Sequence, residues 1–363
     1  MKILVVAGAS GGHIYPALAF LEKLQEEKDS AEALLVLPSR SINISCSPIK
    51  YKLVYITSIK LSFSLNHNNV AGLLSFLKGA WQGLCIILRF KPDIVVGFGS
   101  IDSVPLVMAA WFLRIKTLIH EQNVFPGRAN RFLAKFADKV AVSFADSGRY
   151  FDLSKDKILF TGNPIRRSLK KMSKEEALSF LGLDKDKFTV LVMGGSQGSK
   201  RINDVFLKAV ELIKERERLQ VVHILGIREL SPQVMDAYRR LNIKAHVFDF
   251  CDAMGYVYNA ADLAITRAGA TSISELIYFG VPAILIPYPF AYAHQFYNAK
   301  TLKDVCAGVI IKDEETNPSL LKEVIEQFIS HSERLAEMRN NLKRIFKDDA
   351  AGCLLKASES LLC

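Results

Sequence analysis

The sequence predicts an α/β protein made of two doubly wound halves, each with a parallel sheet. Residues 2–7 form an apolar run that passes through Gly8-Ala9-Ser10-Gly11-Gly12-His13 into a helical pattern. Residues 190–193 repeat this order, followed by Gly194-Gly195-Ser196-Gln197-Gly198-Ser199 and a second helical pattern. At 363 residues the chain is long for one hydrophobic core. Two strand–loop–helix units about half a chain apart therefore indicate two domains.

Each glycine-rich loop leads a predicted strand into a helix N-terminus, where unpaired backbone N–H groups favour an anion such as phosphate. A plain strand-to-helix turn explains the glycines equally well. Neither loop has the G-x-G-x-x-G pattern or the Gly-Lys-Ser/Thr ending of a P-loop. The loops therefore allow a nucleotide but lack the standard dinucleotide and ATP fingerprints.

Short apolar runs predict further strands in both halves. They cover residues 34–37, 52–56, 93–99, 117–119, 139–142 and 157–160 in the first half, and 221–225, 245–248, 263–266 and 282–287 in the second. From residue 318 to the end the pattern is helical. Turn residues at 162–164 precede a charged stretch, which favours a boundary there. We predict domains at 1–162 and 163–340 and a C-terminal helix at 341–363, for which packing back on the first domain is one arrangement.

The net charge of +10 lies mostly in the first half and is compatible with nucleic acid, an anionic substrate or an anionic membrane surface. No zinc-finger, RNP or KH signature supports nucleic acid, and the apolar residues 73–115 favour a membrane surface. No apolar stretch is long enough for a spanning helix. The short apolar N-terminus is interpreted as a strand rather than a signal peptide. The six cysteines lack a C-x-x-C pair, which favours neither a disulfide framework nor a zinc site.

Three local patterns admit both a structural and a chemical interpretation. Ser272-x-x-Glu275 is favoured as a capping box, although the carboxylate is also placed to bind a ribose diol. His13 at a helix start is either a solvated side chain or a neutral general base. His120 and Glu121 fit a hydrogen-bonded pair at a strand end. Asp184-x-Asp186 has a metal-binding form but precedes a strand, so we predict a solvated turn and no protein-bound metal.

Six motifs in order resemble the family of GT-B glycosyltransferases that complete lipid II in bacterial cell-wall synthesis. They are Gly8-Ala9-Ser10-Gly11-Gly12-His13, His120-Glu121-Gln122-Asn123, Gly162-Asn163-Pro164-Ile165-Arg166, Gly194-Gly195-Ser196-Gln197-Gly198, Arg267-x-Gly269-Ala270-x-x-x-Ser274-Glu275 and His294-Gln295-x-x-Asn298-Ala299. The resemblance covers residues 3 to about 300. It implies two Rossmann-like domains facing across a cleft, the second holding the sugar nucleotide and the first receiving the lipid acceptor.

The resemblance also implies a role for each matching residue. Glu275 would bind the ribose hydroxyls, Ser196 and the loop around Gly195 the diphosphate, and Arg166 the nucleotide. The backbone of Cys251 would face uracil, and Gln295 would bind the GlcNAc hydroxyls. The helix start Ala270, Thr271, Ser272, Ile273 and Ser274 would line the phosphate and sugar. From the first domain, Ser10, Gly11, Gly12 and Asn123 would close over the donor, with His13 as the candidate base.

The implied reaction moves GlcNAc from UDP-GlcNAc to the 4-hydroxyl of undecaprenyl-pyrophosphoryl-MurNAc-pentapeptide (lipid I), with inversion and without a metal cofactor. Catalysis would rest on His13, Asn123 and Glu275. Another GT-B lipid glycosyltransferase, for example one acting on diacylglycerol, and a non-catalytic sugar-nucleotide binding protein are the alternatives. The chain departs from the family pattern at three places. It has Ser10 where the family usually has threonine, Ser100-Ile101 where the family has Gly-Tyr, and Ala293 where the family often has an acidic residue.

A lipid acceptor also implies an apolar surface with basic residues around it, on the cytoplasmic face of the plasma membrane. Core packing is the alternative for each aromatic residue taken singly. Other wall-synthesis proteins are implied as partners, and a role in cell shape and division follows from the pathway. The expected surface comprises Leu73, Phe76, Leu77, Trp81, Trp111 and Phe112, with Lys78, Arg89 and Arg114 beside them.

Overall fold

A computed structural model describes residues 1–41, 51–58, 68–195, 197–226, 231–290 and 294–362. Its described strands are β1 (Lys2–Ala7), β2 (Glu32–Pro38), β3 (Lys52–Ile56), β4 (Ile94–Phe98), β5 (Lys116–Glu121), β6 (Lys139–Val142), β7 (Ile158–Phe160), β8 (Phe188–Met193), β9 (Leu219–Ile224), β10 (Lys244–Phe248), β11 (Leu263–Thr266), β12 (Ala283–Leu285) and β13 (Gly308–Ile310). They form two separate parallel sheets.

Helices alternate with these strands. In chain order they are α1 (Gly11–Glu27), α2 (Asn68–Phe90), α3 (Val104–Phe112), α4 (Arg128–Leu133), α5 (Lys174–Phe180), α6 (Lys200–Leu212), α7 (Ser231–Arg240), α8 (Met254–Ala260), α9 (Ala270–Phe279), α10 (His294–Asp304), α11 (Pro318–Ser330), α12 (Ser332–Ile345) and α13 (Ala350–Glu359). Short 3₁₀ segments occur at Ile101–Ser103, Ala145–Tyr150, Lys155–Lys157 and Arg216–Arg218.

The first unit contains Met1–Arg167 together with Lys347–Cys363. Its described strands run in the order β3-β2-β1-β4-β5-β6-β7, so the chain winds outwards in both directions from β1. Ile3 and Val5 pack on one face of the sheet with α1 and α13, and Leu4 and Val6 pack on the other with α2, α3 and α4. Both faces of a parallel sheet are covered in this way in doubly wound folds.

The second unit contains Ser168–Phe346. Its described strands follow the order β10-β9-β8-β11-β12-β13, which is the strand order of a Rossmann-like fold. One face of this sheet carries a continuous core that joins β8 residues Val190 and Val192 to α6 and α11. The α/β fold class with two Rossmann-like parallel-sheet units is therefore confirmed.

Two features of the chain differ from what the apolar runs predicted. Strand β13 was not predicted, because its three residues are partly exposed and are too few to form a recognisable apolar run. The chain enters the second unit after Arg167 and leaves it before Lys347, a few residues beyond the predicted positions 162 and 340. Helix α13 belongs to the first unit, where Leu354 and Leu355 pack in its core. Within the described residues, no helix has the length and apolar character needed to cross a membrane.

Candidate active site

His13 lies where the first and central strands of the first unit end side by side. Ala7 of β1 pairs with Phe98 of β4, so the loops after both strands leave the same edge of the sheet. A Cβ atom on Gly8 would stand 2.9 Å from His13 Nδ1, and one on Gly99 would stand 3.1 Å from His13 Cδ2. Because a larger residue at either position would displace the imidazole, the two glycines create the space that His13 occupies.

The His13 ring is held in a neutral state. Ser10 Oγ lies 2.9 Å from His13 Nδ1, so the serine hydroxyl that replaces threonine keeps a polar contact. Burial lowers the pKa of His13 to about 4, and the negative charge of Asp102 acts in the opposite direction. A neutral imidazole at the edge of a sheet is suited to accept a proton.

The glycine-rich turn around His13 begins helix α1. Ser10 is its N-cap residue and is exposed, and its side chain makes no capping hydrogen bond to the helix backbone. Gly11 is buried, whereas Gly12 is exposed at the first turn. The turn therefore presents small residues and backbone beside His13, which suits the close approach of a ligand.

Glu121 organises the loop that carries Asn123. Its Oε1 atom accepts hydrogen bonds from the backbone N–H of Asn123 at 2.8 Å and from Asn123 Nδ2 at 3.1 Å. Its Oε2 atom accepts from Gly127 N and from Asn130 Nδ2. The carboxylate thus positions the predicted site residue Asn123, a role that sequence reasoning did not give it.

His120 connects the end of β5 to the Gly162 turn rather than to Glu121. Its Nε2 lies 3.0 Å from the carbonyl oxygen of Gly162, and its Nδ1 lies 3.1 Å from Gln122 Nε2. These contacts assign the proton to Nε2, because Gly162 O can only accept and Gln122 Nε2 can only donate. Burial lowers the pKa of His120 to about 4, so the ring is a neutral structural link. The predicted His120–Glu121 pair is therefore wrong.

Arg166 lies near the end of the same turn, with its guanidinium 3.9 Å from the Tyr15 ring centroid. Its Nε atom is buried and has no hydrogen-bond partner in the described part of the chain. Asn163 is 6% exposed, and neither of its amide atoms has such a partner either. Buried polar atoms of this kind require a water or ligand partner.

In the second unit, the loop after β8 folds tightly onto its own backbone. Gly198 N donates to Gly195 O at 2.9 Å, and both residues have positive φ, +89° at Gly195 and +76° at Gly198. A Cβ atom on Gly194 would stand 2.2 Å from Ser199 N. These close approaches require glycine. Ser199 then caps α6, while Ser196, predicted to contact the diphosphate, lies outside the described residues.

The favoured capping-box interpretation of Ser272 and Glu275 is wrong. Helix α9 begins at Ala270 with Gly269 as its N-cap residue, so Ser272 already lies within the helix. The Glu275 carboxylate instead accepts a hydrogen bond of 2.7 Å from the Tyr258 hydroxyl, and both residues are buried. Tyr258 was missed because it lies in an apolar-looking helix, and nothing local in the sequence indicates its partner.

The first turn of α9 presents a small-residue surface with an unused hydroxyl. Ala270 and Ile273 are buried, and Ser274 Oγ donates back to Ala270 O at 2.9 Å. Thr271 Oγ1 is buried without a hydrogen-bond partner among the described residues. A helix N-terminus with a free hydroxyl can receive an anion or a sugar hydroxyl.

Arg267 and Gln295 brace the segment that leads into α9. Gln295 Oε1 accepts from Ala268 N at 3.1 Å and from Tyr288 N at 2.9 Å. Arg267 donates to Ser199 Oγ at 3.0 Å and pairs with Asp313. Arg267 therefore ties the start of α6 to the start of α9, a structural role that its place in the motif did not reveal.

Cys251 lies in the turn after β10 and is buried, 6% exposed. Burial raises the pKa of its thiol to about 11, so the side chain is not a nucleophile near neutral pH. A contact with a base would thus involve the backbone at this turn.

The surface of α2 and α3 in the first unit is apolar and basic. Trp81 is 67% exposed and Phe112 79% exposed, and Leu77 and Trp111 are also exposed. Lys78, Arg89 and Arg114 are exposed as well. Phe76 differs from these residues, because it is half-buried against the core beneath α2. Leu73 lies in α2, but its side chain is not among those that the structure describes.

Acidic clusters do not mark a metal site in the described residues. No group of three or more His, Cys, Asp or Glu side chains there has an arrangement that could hold a metal ion. Asp184 pairs with Lys244 and Lys187 at the start of β8. The Asp184-x-Asp186 pattern is accordingly a solvated turn. Ala293, the departure beside His294, is outside the described residues.

Known proteins resemble this chain over nearly its full length. The glycosyltransferase family 28 N-terminal domain matches residues 3–142, and the C-terminal domain of the same family matches residues 189–352. A Halothermothrix orenii protein named UDP-N-acetylglucosamine--N-acetylmuramyl-(pentapeptide) pyrophosphoryl-undecaprenol N-acetylglucosamine transferase is 37% identical over 99% of this chain and 98% of its own. A Listeria welshimeri protein of the same name is 36% identical over 98% of both chains.

Solved structures agree with these sequence similarities. The crystal structure of Acinetobacter baumannii MurG superimposes with a TM-score of 0.78 at 25% identity, covering 99% of both chains. A putative UDP-N-acetylglucosamine 2-epimerase from Listeria monocytogenes has a TM-score of 0.73 at 16% identity, which shows a shared fold alone. Family domains in both units and relatives above 30% identity lead to one conclusion: the chain belongs to glycosyltransferase family 28.

Proposed function

We propose that this enzyme transfers GlcNAc from UDP-GlcNAc to undecaprenyl-pyrophosphoryl-MurNAc-pentapeptide, lipid I, and so forms lipid II for peptidoglycan. The observation that carries the proposal is 37% identity, over 99% of the chain, to a transferase named for this donor and acceptor. The residues that the reaction needs in each unit are present, including His13, Asn123 and Glu275.

The second unit supplies the donor site in this proposal. Glu275 accepts hydrogen bonds from the ribose hydroxyls, while Tyr258 fixes its carboxylate at 2.7 Å. The backbone N–H groups around Gly195 and the start of α6, with Ser196, receive the diphosphate. The free hydroxyl of Thr271 and the first turn of α9 face the phosphate and sugar, and Gln295 faces the GlcNAc hydroxyls. The backbone at Cys251 faces uracil.

The first unit supplies the acceptor side and the base. The 4-hydroxyl of the muramyl sugar attacks the anomeric carbon of GlcNAc from the face opposite UDP, so the configuration inverts to a β-linkage. His13 takes the proton of that hydroxyl, and its neutral state supports this role. Ser10, Gly11, Gly12 and Asn123 close over the donor, and Arg166 binds the nucleotide. Charge on the leaving UDP is stabilised by helix N–H groups without a metal ion.

Transfer of radiolabelled GlcNAc from UDP-GlcNAc to lipid I in detergent tests the proposal. We expect a labelled lipid II product from the wild-type chain, and undiminished transfer in the presence of EDTA. His13→Gln should reduce turnover while leaving binding of UDP-GlcNAc unchanged. Binding of UDP-GlcNAc without any product would favour a sugar-nucleotide binding protein, and transfer to diacylglycerol instead of lipid I would favour another lipid glycosyltransferase.

We further propose that the exposed apolar surface of α2 and α3 binds an anionic bilayer at the cytoplasmic face of the plasma membrane. Exposed Trp81 and Phe112 would enter the headgroup region, and the neighbouring Lys78, Arg89 and Arg114 would meet anionic lipids. A peripheral enzyme placed there would meet its lipid acceptor and other wall-synthesis proteins, and would thereby serve cell shape and division.

Vesicle flotation tests this surface. Trp81→Glu combined with Phe112→Glu should abolish flotation with phosphatidylglycerol vesicles. Leu212→Glu is the matched control, because Leu212 is 50% exposed on α6 in the other unit. Undiminished flotation of the double variant would refute the assignment, as would equal flotation of all variants with neutral vesicles.

A further inference from the structure

The segment after β4 has a backbone conformation that normally requires glycine. Ser100 has φ of 73° and ψ of 155°, a region that residues with a side chain rarely adopt because it is strained. Its hydroxyl donates to Asp102 Oδ2 at 3.0 Å, and its carbonyl oxygen accepts from Ser103 Oγ at 2.8 Å. The strained residue is therefore held in place by the side chains that follow it.

Asp102, the partner of Ser100, is a fully buried carboxylate. Its side chain has 0% exposure, and its Oδ2 atom lies 3.3 Å from Arg40 Nη2. Arg40 is 39% exposed and lies after β2, where its backbone N–H donates to Ser58 Oγ at 3.0 Å. A buried carboxylate is costly unless it is paired and hydrogen-bonded, and Arg40 and Ser100 supply those partners here.

The Ser100 hydroxyl that donates to Asp102 also lies near the His13 ring. A Cβ atom on Gly8 would stand 2.8 Å from Ser100 Oγ and 2.9 Å from His13 Nδ1, so both atoms border the space that this glycine leaves. Ser10 Oγ approaches the same ring nitrogen at 2.9 Å. The negative charge of Asp102 raises the pKa of His13 against the stronger lowering effect of burial. Asp102 thus acts on the candidate base through its charge.

We propose that Asp102 is a positioning residue for His13: it fixes the Ser100 side chain beside the imidazole, and its charge stabilises the imidazolium formed during transfer. The inference rests on the proposed function, in which the acceptor O–H bond breaks as a proton moves to His13. The same oxygen bonds to the anomeric carbon, and UDP leaves with the electron pair of the bond to that carbon. Arg40 determines how much of the Asp102 charge His13 experiences.

The groups around His13 give opposite expectations for two variants. Ser10 faces the ring from α1, Asn130 Nδ2 adjoins the Gly99 position from α4, and Ser100 and Asp102 approach from the segment after β4. Asp102→Asn removes the negative charge, so the pKa of His13 should fall and the acid limb of the pH profile of kcat should move to lower pH. Arg40→Gln removes the positive charge that neutralises Asp102, so the pKa of His13 should rise and the acid limb of the pH profile of kcat should move to higher pH.

Steady-state kinetics and NMR of the full chain test the inference together. Asp102→Asn should lower kcat about tenfold and leave KM for UDP-GlcNAc within about twofold, since a charge acting on the base affects only the transition state. Asp102→Glu should recover part of the lost rate. Asp152→Asn, at an exposed position of the same unit, is the matched control and should change neither quantity.

The Cε1–H signal of His13, identified by its loss in His13→Gln, reports the coupling without any catalytic assay. Opposite displacements of its titration in Asp102→Asn and Arg40→Gln would support the coupling even if the wild-type chain failed to transfer GlcNAc. Titrations that coincide with the wild type in both variants would overturn the proposal. So would a displaced titration accompanied by an unchanged kcat, because Asp102 would then be structural only. Arg40→Gln alters a partly exposed side chain and keeps the test valid if Asp102→Asn does not fold.

Discussion

Deleting one ribose hydroxyl from the donor should reveal whether Glu275 binds it. A hydrogen bond to a charged group contributes about 1.5–3 kcal/mol, so the wild-type enzyme should lose roughly 10- to 150-fold in kcat/KM with 2′-deoxy-UDP-GlcNAc. In Glu275→Ala the acceptor of that bond is gone. The 2′-deoxy donor and the normal donor should then react with kcat/KM values within about twofold of each other.

Two further variants separate binding from stability in this experiment. Glu275→Ala leaves the buried Tyr258 hydroxyl without the carboxylate that it contacts at 2.7 Å, which costs about 1–3 kcal/mol of stability. Glu275→Gln retains an acceptor for Tyr258 and removes the charge, so it should stay near wild-type stability and show a reduced deoxy penalty. Tyr258→Phe retains the carboxylate but not its orientation, and should give an intermediate penalty.

The deciding quantity is the ratio of the kcat/KM values for the two donors, measured on the same variant. Partial unfolding lowers both values equally and therefore cancels from the ratio. Reaction rates give kcat/KM, and calorimetry with UDP and 2′-deoxy-UDP gives the same comparison for binding. A deoxy penalty in Glu275→Ala equal to that of the wild type would refute the assignment of Glu275 to the ribose. The residue would then be a buried partner of Tyr258 and nothing more.

Three other predictions follow from the same geometry. Gly198→Ala should raise KM for UDP-GlcNAc at least tenfold, because a Cβ there would stand 2.2 Å from Leu225 O; an unchanged KM would mean that the loop does not hold the diphosphate. Glu121→Gln should lower kcat/KM several-fold by loosening the Asn123 loop, and activity equal to that of the Asp152→Asn control would contradict this role. Burial lowers the pKa of His120 to about 4 and of His223 to about 3, so each of these neutral histidines should cost its unit about 1.4 kcal/mol of stability per pH unit as the pH falls from 6 towards 4. The first unit should lose about twice as much as the second, because the pKa of His13 is also lowered to about 4. Urea unfolding followed separately in each unit, with His223→Gln as the comparison, would contradict this if stability stayed constant.

The period of the apolar residues was enough to predict most of the fold. Strands such as β1 and β8 are continuous apolar runs because both faces of their sheets are covered, and helices such as α2 carry a 3.6-residue pattern. The strand β13 escaped notice because three residues give no period. The return of α13 to the first unit depends on contacts between residues far apart in sequence, which no local pattern contains.

For the candidate site, the motifs name the residues, but tertiary contacts decide what each side chain touches. Ser272-x-x-Glu275 matches a capping box letter by letter, but the helix begins two residues earlier and Tyr258 receives the carboxylate's bond. Position in a helix is decided by where the chain enters it, and a four-residue pattern does not contain that information. The pairing of Asp102 with Arg40 is likewise invisible locally, because the two residues are separated by a strand, a helix and a further strand.

The two glycine-rich loops look alike in sequence but use glycine for different purposes. At Gly8 in the first loop, and at Gly99 after the neighbouring strand β4, the missing Cβ atoms leave room for side chains, namely the His13 ring and the Ser100 hydroxyl. At Gly194 and Gly198 the missing Cβ atoms let backbone approach backbone. The first loop therefore leaves room for a titratable side chain, whereas the second folds closely onto its own backbone. In the proposed function, a shared strand–loop–helix unit serves proton transfer in one case and phosphate binding in the other, according to what fills the space that glycine leaves.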